Sequence, residues 1–199
     1  AGLDILWPVQ PAVNTLIVNL ERSAWSIAQR LARINRILGL PQRRKINILN
    51  KKGKNLLDIA DQVERIIREK KIDFLMLDSI SRTGFGDLNE NRPVNAIVDC
   101  LNNLCPTWLA LGHTPRASDE HIYGSIHFEA GADIVIQLMS EQKDIDLLGV
   151  ALQIVKANDI PKFPTETLAM EFNDFGLNNI RPAKRYEFPE LASKRKISL

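Results

Sequence analysis

The chain has 199 residues, of which 45% are apolar and 25% charged, and its formal net charge is +2. That length favours one domain with a core of ordinary size, and the balance is that of a soluble globular protein. No apolar run approaches the roughly 20 residues needed to cross a bilayer, and so small a charge does not by itself imply nucleic acid.

Strand and helix signals alternate along the chain, which predicts an α/β domain. The first strand is Val13 to Leu20, mostly apolar and ending in Glu21. A helix follows, with Trp25, Ala28, Leu31, Ile34 and Leu38 at helical spacing and arginines elsewhere, and Gly39 and Pro41 as stop signals. Ile46 to Leu49 is a short second strand, placed at a sheet edge. The next helix starts near Asn55, with Asp58 three residues on, and buries Leu56, Ile59, Ala60, Val63, Ile66 and Ile67.

Phe74-Leu75-Met76-Leu77 then runs apolar at every position and stops at Asp78. Such a run suits a strand buried on both faces of a parallel sheet, whose carboxyl end borders the usual ligand crevice. A polar loop from Ser79 to about Arg92 leads to a helix over Pro93 to Leu104. Trp108 to Leu111 forms another strand, and Gly112 and His113 follow it. Later strands are read over Asp133 to Leu138, Leu147 to Val155 and Glu166 to Phe172, as antiparallel additions to one edge. From about Arg181 the chain reads as a basic tail.

Cys100 and Cys105 lack the spacing and partners of a zinc site and read as free thiols in a reducing compartment. No segment reads as a secretory signal, and the expected location is cytoplasmic.

Three strands ending in or just before Glu21, Asp78 and His113 argue for one shared site. Each residue has a plainer reading: a first-turn helix carboxylate for Glu21, a turn or cap for Asp78, a core histidine for His113. Together they suit phosphoryl chemistry, with a magnesium-holding Asp, a water-orienting Glu and a polar phosphate sensor.

The segments Leu16 to Arg22, Phe74 to Arg82, Leu109 to Ser118, Tyr123 to Leu138 and Gln153 to Ile160 resemble, in order, the RecA-like core of P-loop ATPases. Within that group the chain is most similar to hexameric replicative helicases of the RepA type and to related bacterial and phage ATPases. The resemblance implies a mostly parallel twisted sheet flanked by helices on both faces, with antiparallel strands near the C-terminus. It implies a core over residues 1–180 and a tail over 181–199.

By resemblance, Asp78 matches the Walker B aspartate that acts on magnesium through water, and Ser79 the small hydroxyl residue after it. Glu21 matches the catalytic glutamate and His113 the γ-phosphate sensor. Lys156 matches a basic position that reaches a neighbouring subunit's nucleotide, although a solvated strand-end lysine is an equal reading. The implied cofactors are ATP and Mg2+, the implied partners are further copies in a hexamer-type ring and single-stranded DNA, and no membrane is involved.

The sequence departs from the family at two points. Tyr123 stands where a basic finger residue is usual, leaving Arg116 as the candidate substitute, and no G-x-x-x-x-G-K-[ST] occurs. The resemblance implies that such a loop belongs before Ala1. Without it, the chain alone is expected to hydrolyse ATP poorly. A non-catalytic RecA-like module for assembly or partner binding is the other reading. The basic groups Arg43-Arg44-Lys45, Lys51-Lys52-Lys54 and Lys194-Arg195-Lys196 lack interleaved aromatics and read as solvated surface.

Overall fold

The computed structural model describes residues 13–41, 44–113 and 127–194. The described chain forms two sheets in separate compact units. One unit contains β1 (Thr15–Asn19), β2 (Asn47–Asn50), β3 (Phe74–Asp78) and β4 (Trp108–Leu111), all parallel, in the order β2-β1-β3-β4. The other contains β5 (Ile134–Asp144), β6 (Leu147–Ala157), β7 (Glu166–Asn173) and β8 (Gly176–Pro182), antiparallel and in chain order. Helices flank the parallel sheet, so the expected α/β, RecA-like class holds. The late strands differ from expectation in one respect: they pair with one another in a sheet of their own rather than extending the parallel one.

In the parallel unit, the apolar centres of β1 (Leu16–Val18) and β3 (Phe74–Leu77) account for burial. Leu16, Val18, Leu75 and Leu77 are essentially inaccessible, and each buried leucine contributes about 1.5–3 kcal/mol relative to an exposed one. Helix α2 (Leu56–Lys70) follows Asn55, whose backbone N–H donates to Asp58 Oδ2 at 3.4 Å. It buries Leu56, Ile59 and Val63, as its periodicity predicts. Helix α3 (Asn91–Leu104) buries Val94, Ile97, Val98 and Leu101. Helix α4 (His127–Gly131) packs against α3, where a Cβ on Gly131 would meet Val98 Cγ2 at 3.0 Å.

Helix α1 (Ala24–Ile37) forms where expected, with Ser23 Oγ accepting the Ser26 N–H at 3.2 Å. The division between the units falls within it. Its apolar stripe does not form core: Trp25 is 73% exposed, Ile34 is also exposed, and the buried residue is Asn35. Asn35 accepts the Leu40 N–H through its backbone oxygen, closing the helix end at 2.7 Å.

In the antiparallel unit, the stretch expected as a tail from Arg181 holds helix α5 (Pro189–Lys194). Phe188 and Leu191 are buried there with Ala151 and Ala169. Gly149 on β6 makes this packing possible, because a Cβ there would lie 2.5 Å from Phe188 Cδ1. Leu191 donates its backbone N–H to Glu141 Oε2 at 2.9 Å, so a β5 carboxylate satisfies one orphan donor of the helix start. No described helix is long and apolar enough to cross a membrane.

Candidate functional site at the carboxyl ends of β1, β3 and β4

Strand register brings the predicted residues to one edge of the parallel sheet. Asn19 pairs with Asp78, and Asp78 with Leu111. Glu21 follows Asn19 by two positions and His113 follows Leu111 by two. Three adjacent parallel strands therefore deliver Glu21, Asp78 and His113 to the same end, where open α/β sheets bind ligands.

The turn after β1 is fixed by a buried asparagine. Asn19 is fully buried; its amide donates to Arg22 O at 2.7 Å and to Asn50 Oδ1 at 2.8 Å. Its Oδ1 accepts the Arg22 N–H at 3.0 Å. Leu20 N–H donates to Asp78 O at 2.8 Å, carrying the β1–β3 ladder past the strand end. These bonds hold both neighbours of Glu21, so the carboxylate is aimed by backbone that is itself tied down.

The carboxylate meets hydroxyls from the segment after β3. Ser79 donates its hydroxyl to Glu21 Oε1, Ser81 does so at 3.0 Å, and the two serine oxygens lie 2.8 Å apart. The Asp78–Ser79 peptide bond is cis. A 3-10 turn, Ile80–Arg82, carries Ser81, and Thr83 closes it by donating its hydroxyl to Ile80 O at 2.9 Å. Gly84, at φ +83°, takes the chain past Asn55, whose side chain a Cβ there would strike at 2.6 Å.

His113 Nε2 lies 3.9 Å from the same Oε1, with the His113 side chain 72% exposed and that of Glu21 23%. The Glu21 carboxyl is held below its ordinary range, first by the Ser79 hydroxyl, then by Ser81, His113 and Arg82, against the opposing effect of partial burial. Glu21 is thus an ionised acceptor at neutral pH. The exposure of His113 leaves it free of the core role that its sequence also allowed.

A family model described as an AAA domain matches residues 1–118, more than half of the chain. The chain belongs to the AAA domain family. It is thereby of the broad P-loop ATPase kind, for which nucleotide binding is general. Among curated proteins nothing matches this AAA domain chain.

Among the described residues, no group of three or more His, Cys, Asp or Glu could hold a metal ion. A cage built from protein ligands is therefore not formed by them. The half-buried Asp78 at the end of β3 could hold a hard cation through one carboxylate, with waters and substrate phosphates completing its shell.

Lys156 lies on β6, opposite Val135, in the antiparallel unit of the AAA domain chain. Arg116 and Tyr123 lie outside the described residues. Sequence reasoning missed Asn19, Asn50 and Ser81. The available signal for Asn19 was a carboxamide closing an apolar strand two positions before the glutamate; Asn50 and Ser81 had none without the register.

Proposed function

We propose that this chain is part of a magnesium-dependent ATPase that couples ATP hydrolysis to DNA unwinding or remodelling in a ring of like subunits. The observation that carries the reading is the convergence of Glu21, Asp78 and His113 at the ends of adjacent parallel strands, with Glu21 and His113 3.9 Å apart, in an AAA domain chain.

In this reading Glu21 is the general base that accepts a hydrogen bond from the attacking water and orients it. Asp78 holds magnesium through the metal's water shell, beside Ser79. Magnesium held there would supply charge neutralisation on the phosphates. His113 contacts the γ-phosphate, and Lys156 and Arg116 serve a neighbouring subunit's nucleotide. The ring, the single-stranded DNA and these last roles rest on resemblance to RepA-type helicases.

The test is calorimetric titration of MgATP into the chain and into the full-length gene product, with and without EDTA. Magnesium-dependent binding that Asp78→Ala weakens about tenfold or more supports the site. The missing G-x-x-x-x-G-K-[ST] favours a second reading, a non-catalytic module for assembly, which requires that neither protein binds MgATP. The 199-residue chain by itself should hydrolyse ATP poorly or not at all; ordinary multiple turnover would overturn that expectation.

A further inference from the structure

The hydrogen bonds and the ion pair that the described residues make to the Glu21 carboxylate fall on one oxygen. Ser79 Oγ, Ser81 Oγ and, more distantly, His113 Nε2 approach Oε1. No hydrogen bond from the described residues reaches Oε2. The hydroxyl pair is also short of protons. Three oxygen–oxygen contacts join Ser79, Ser81 and Oε1, but two serines carry one hydroxyl proton each.

Ser79 is buried, at 1% exposure, and gives its proton to Oε1. Ser81 must then divide its own proton between Ser79 Oγ at 2.8 Å and Oε1 at 3.0 Å. Both hydroxyls point at Oε1 as donors, and hydrogen bonds donated to a carboxylate favour its ionised form. The arrangement also fixes the rotation of the carboxylate, since two donors from one short segment meet the same oxygen.

We infer that Ser79 and Ser81 form a two-hydroxyl clamp on Glu21 Oε1 that sets the carboxylate's orientation and presents Oε2 to a water. Ser81 is a positioning residue: it acts through Glu21 and Ser79. The role extends Ser79 beyond the metal side of the site, because its one proton is committed to the glutamate. The use of Oε2 for the attacking water rests on the ATPase reading; the clamp does not.

The experiment separates the two. Selective 13C labelling of glutamate carboxyls lets the Glu21 signal be titrated by NMR in the chain itself, in wild type, Ser79→Ala, Ser81→Ala and Ser81→Thr. The clamp requires a Glu21 midpoint below that of an ordinary glutamate, rising toward it in both alanine variants and restored by threonine. Ser81 is exposed, so its alanine variant tests the contact without disturbing the core.

In parallel, MgATP hydrolysis by the full-length gene product should lose about tenfold in kcat for Ser81→Ala at unchanged KM. The acid limb of the kcat profile should move to higher pH. A Glu21 midpoint unmoved by either alanine substitution overturns the clamp. If the midpoints move as required but the wild-type protein hydrolyses no ATP, the clamp stands and the ATPase reading fails.

Discussion

The two sheets treat their carboxylates in opposite ways. In the antiparallel unit, Arg181 donates from Nε to Glu171 Oε1 at 2.6 Å and from its two terminal nitrogens to both oxygens of Glu187 at 2.9 and 2.7 Å. Asn179 donates to the remaining Glu171 oxygen at 3.0 Å, and Lys184 N–H to Glu187 Oε2 at 2.7 Å. Every carboxylate oxygen of Glu171 and Glu187 has a donor. In the parallel unit, the described donors to Glu21 use Oε1 alone. A closed network spends its charge on holding strands together, whereas a carboxylate with one oxygen that no described donor reaches keeps an acceptor among the described residues for something that arrives.

Removing the charge on each side should give the largest contrast. Glu21→Gln preserves shape but removes the base, so ATP hydrolysis by the full-length gene product should fall about 100-fold or more while MgATP affinity is kept. Glu187→Gln should leave hydrolysis unchanged and lower the unfolding midpoint instead. Steady-state ATPase and urea denaturation on both variants check this. Equal losses of activity would erase the distinction drawn between the two units.

Much of this was legible before the strands were assembled. Mostly apolar runs marked β1, β3 and β4, although Leu109 on β4 is exposed, and the polar residues closing those runs marked the site. The burial of Val94, Ile97, Val98 and Leu101 followed from helical period alone.

What escaped was whatever depends on a partner distant in sequence. Ser81 meets Glu21 across 60 positions and Asn19 meets Asn50 across 31. Strand β8 was missed because Asn178, Asn179 and Arg181 dilute its apolar pattern; Asn179 and Arg181 are bound to Glu171 instead. Helix α1 misled in the other direction. Its stripe has helical period, but Trp25 and Ile34 are exposed and Asn35 is the buried residue. Periodicity reports that a face is apolar, not what covers it.

A smaller effect is expected at the residue that ties down the open side. Asn19→Ala would strip donors from Arg22 O and Asn50 Oδ1 and an acceptor from Arg22 N–H, at a cost of about 2–3 kcal/mol in a buried setting. Denaturant unfolding measures that cost. Asn19→Ala should also lower ATPase kcat, because the turn carrying Glu21 loses its anchor. A stability loss with undiminished kcat would mean that the Ser79 and Ser81 hydroxyls alone suffice to aim the carboxylate.

The smallest expected effect is the acid sensitivity of the closed side. Hydrogen bonds from Arg181 are the main reason that the Glu187 carboxyl is lowered from 4.5 to about 2. A carboxyl whose folded value lies below its unfolded one contributes stability that is complete above the unfolded value. That contribution disappears as pH falls through the folded value, so the window is from about pH 4.5 down to about 2. Chemical denaturation at stepped pH should show stability falling across it. Arg181→Ala should flatten this slope and cost roughly 1–2 kcal/mol at neutral pH, where two carboxylates lose their shared donor. Because the network lies on strands other than those that carry Glu21, Asp78 and His113, ATP hydrolysis measured at neutral pH on protein kept below its unfolding midpoint should be indifferent to Arg181→Ala. A kcat that tracked Arg181 would show that the closed network does more than hold β7, β8 and the chain leading to α5.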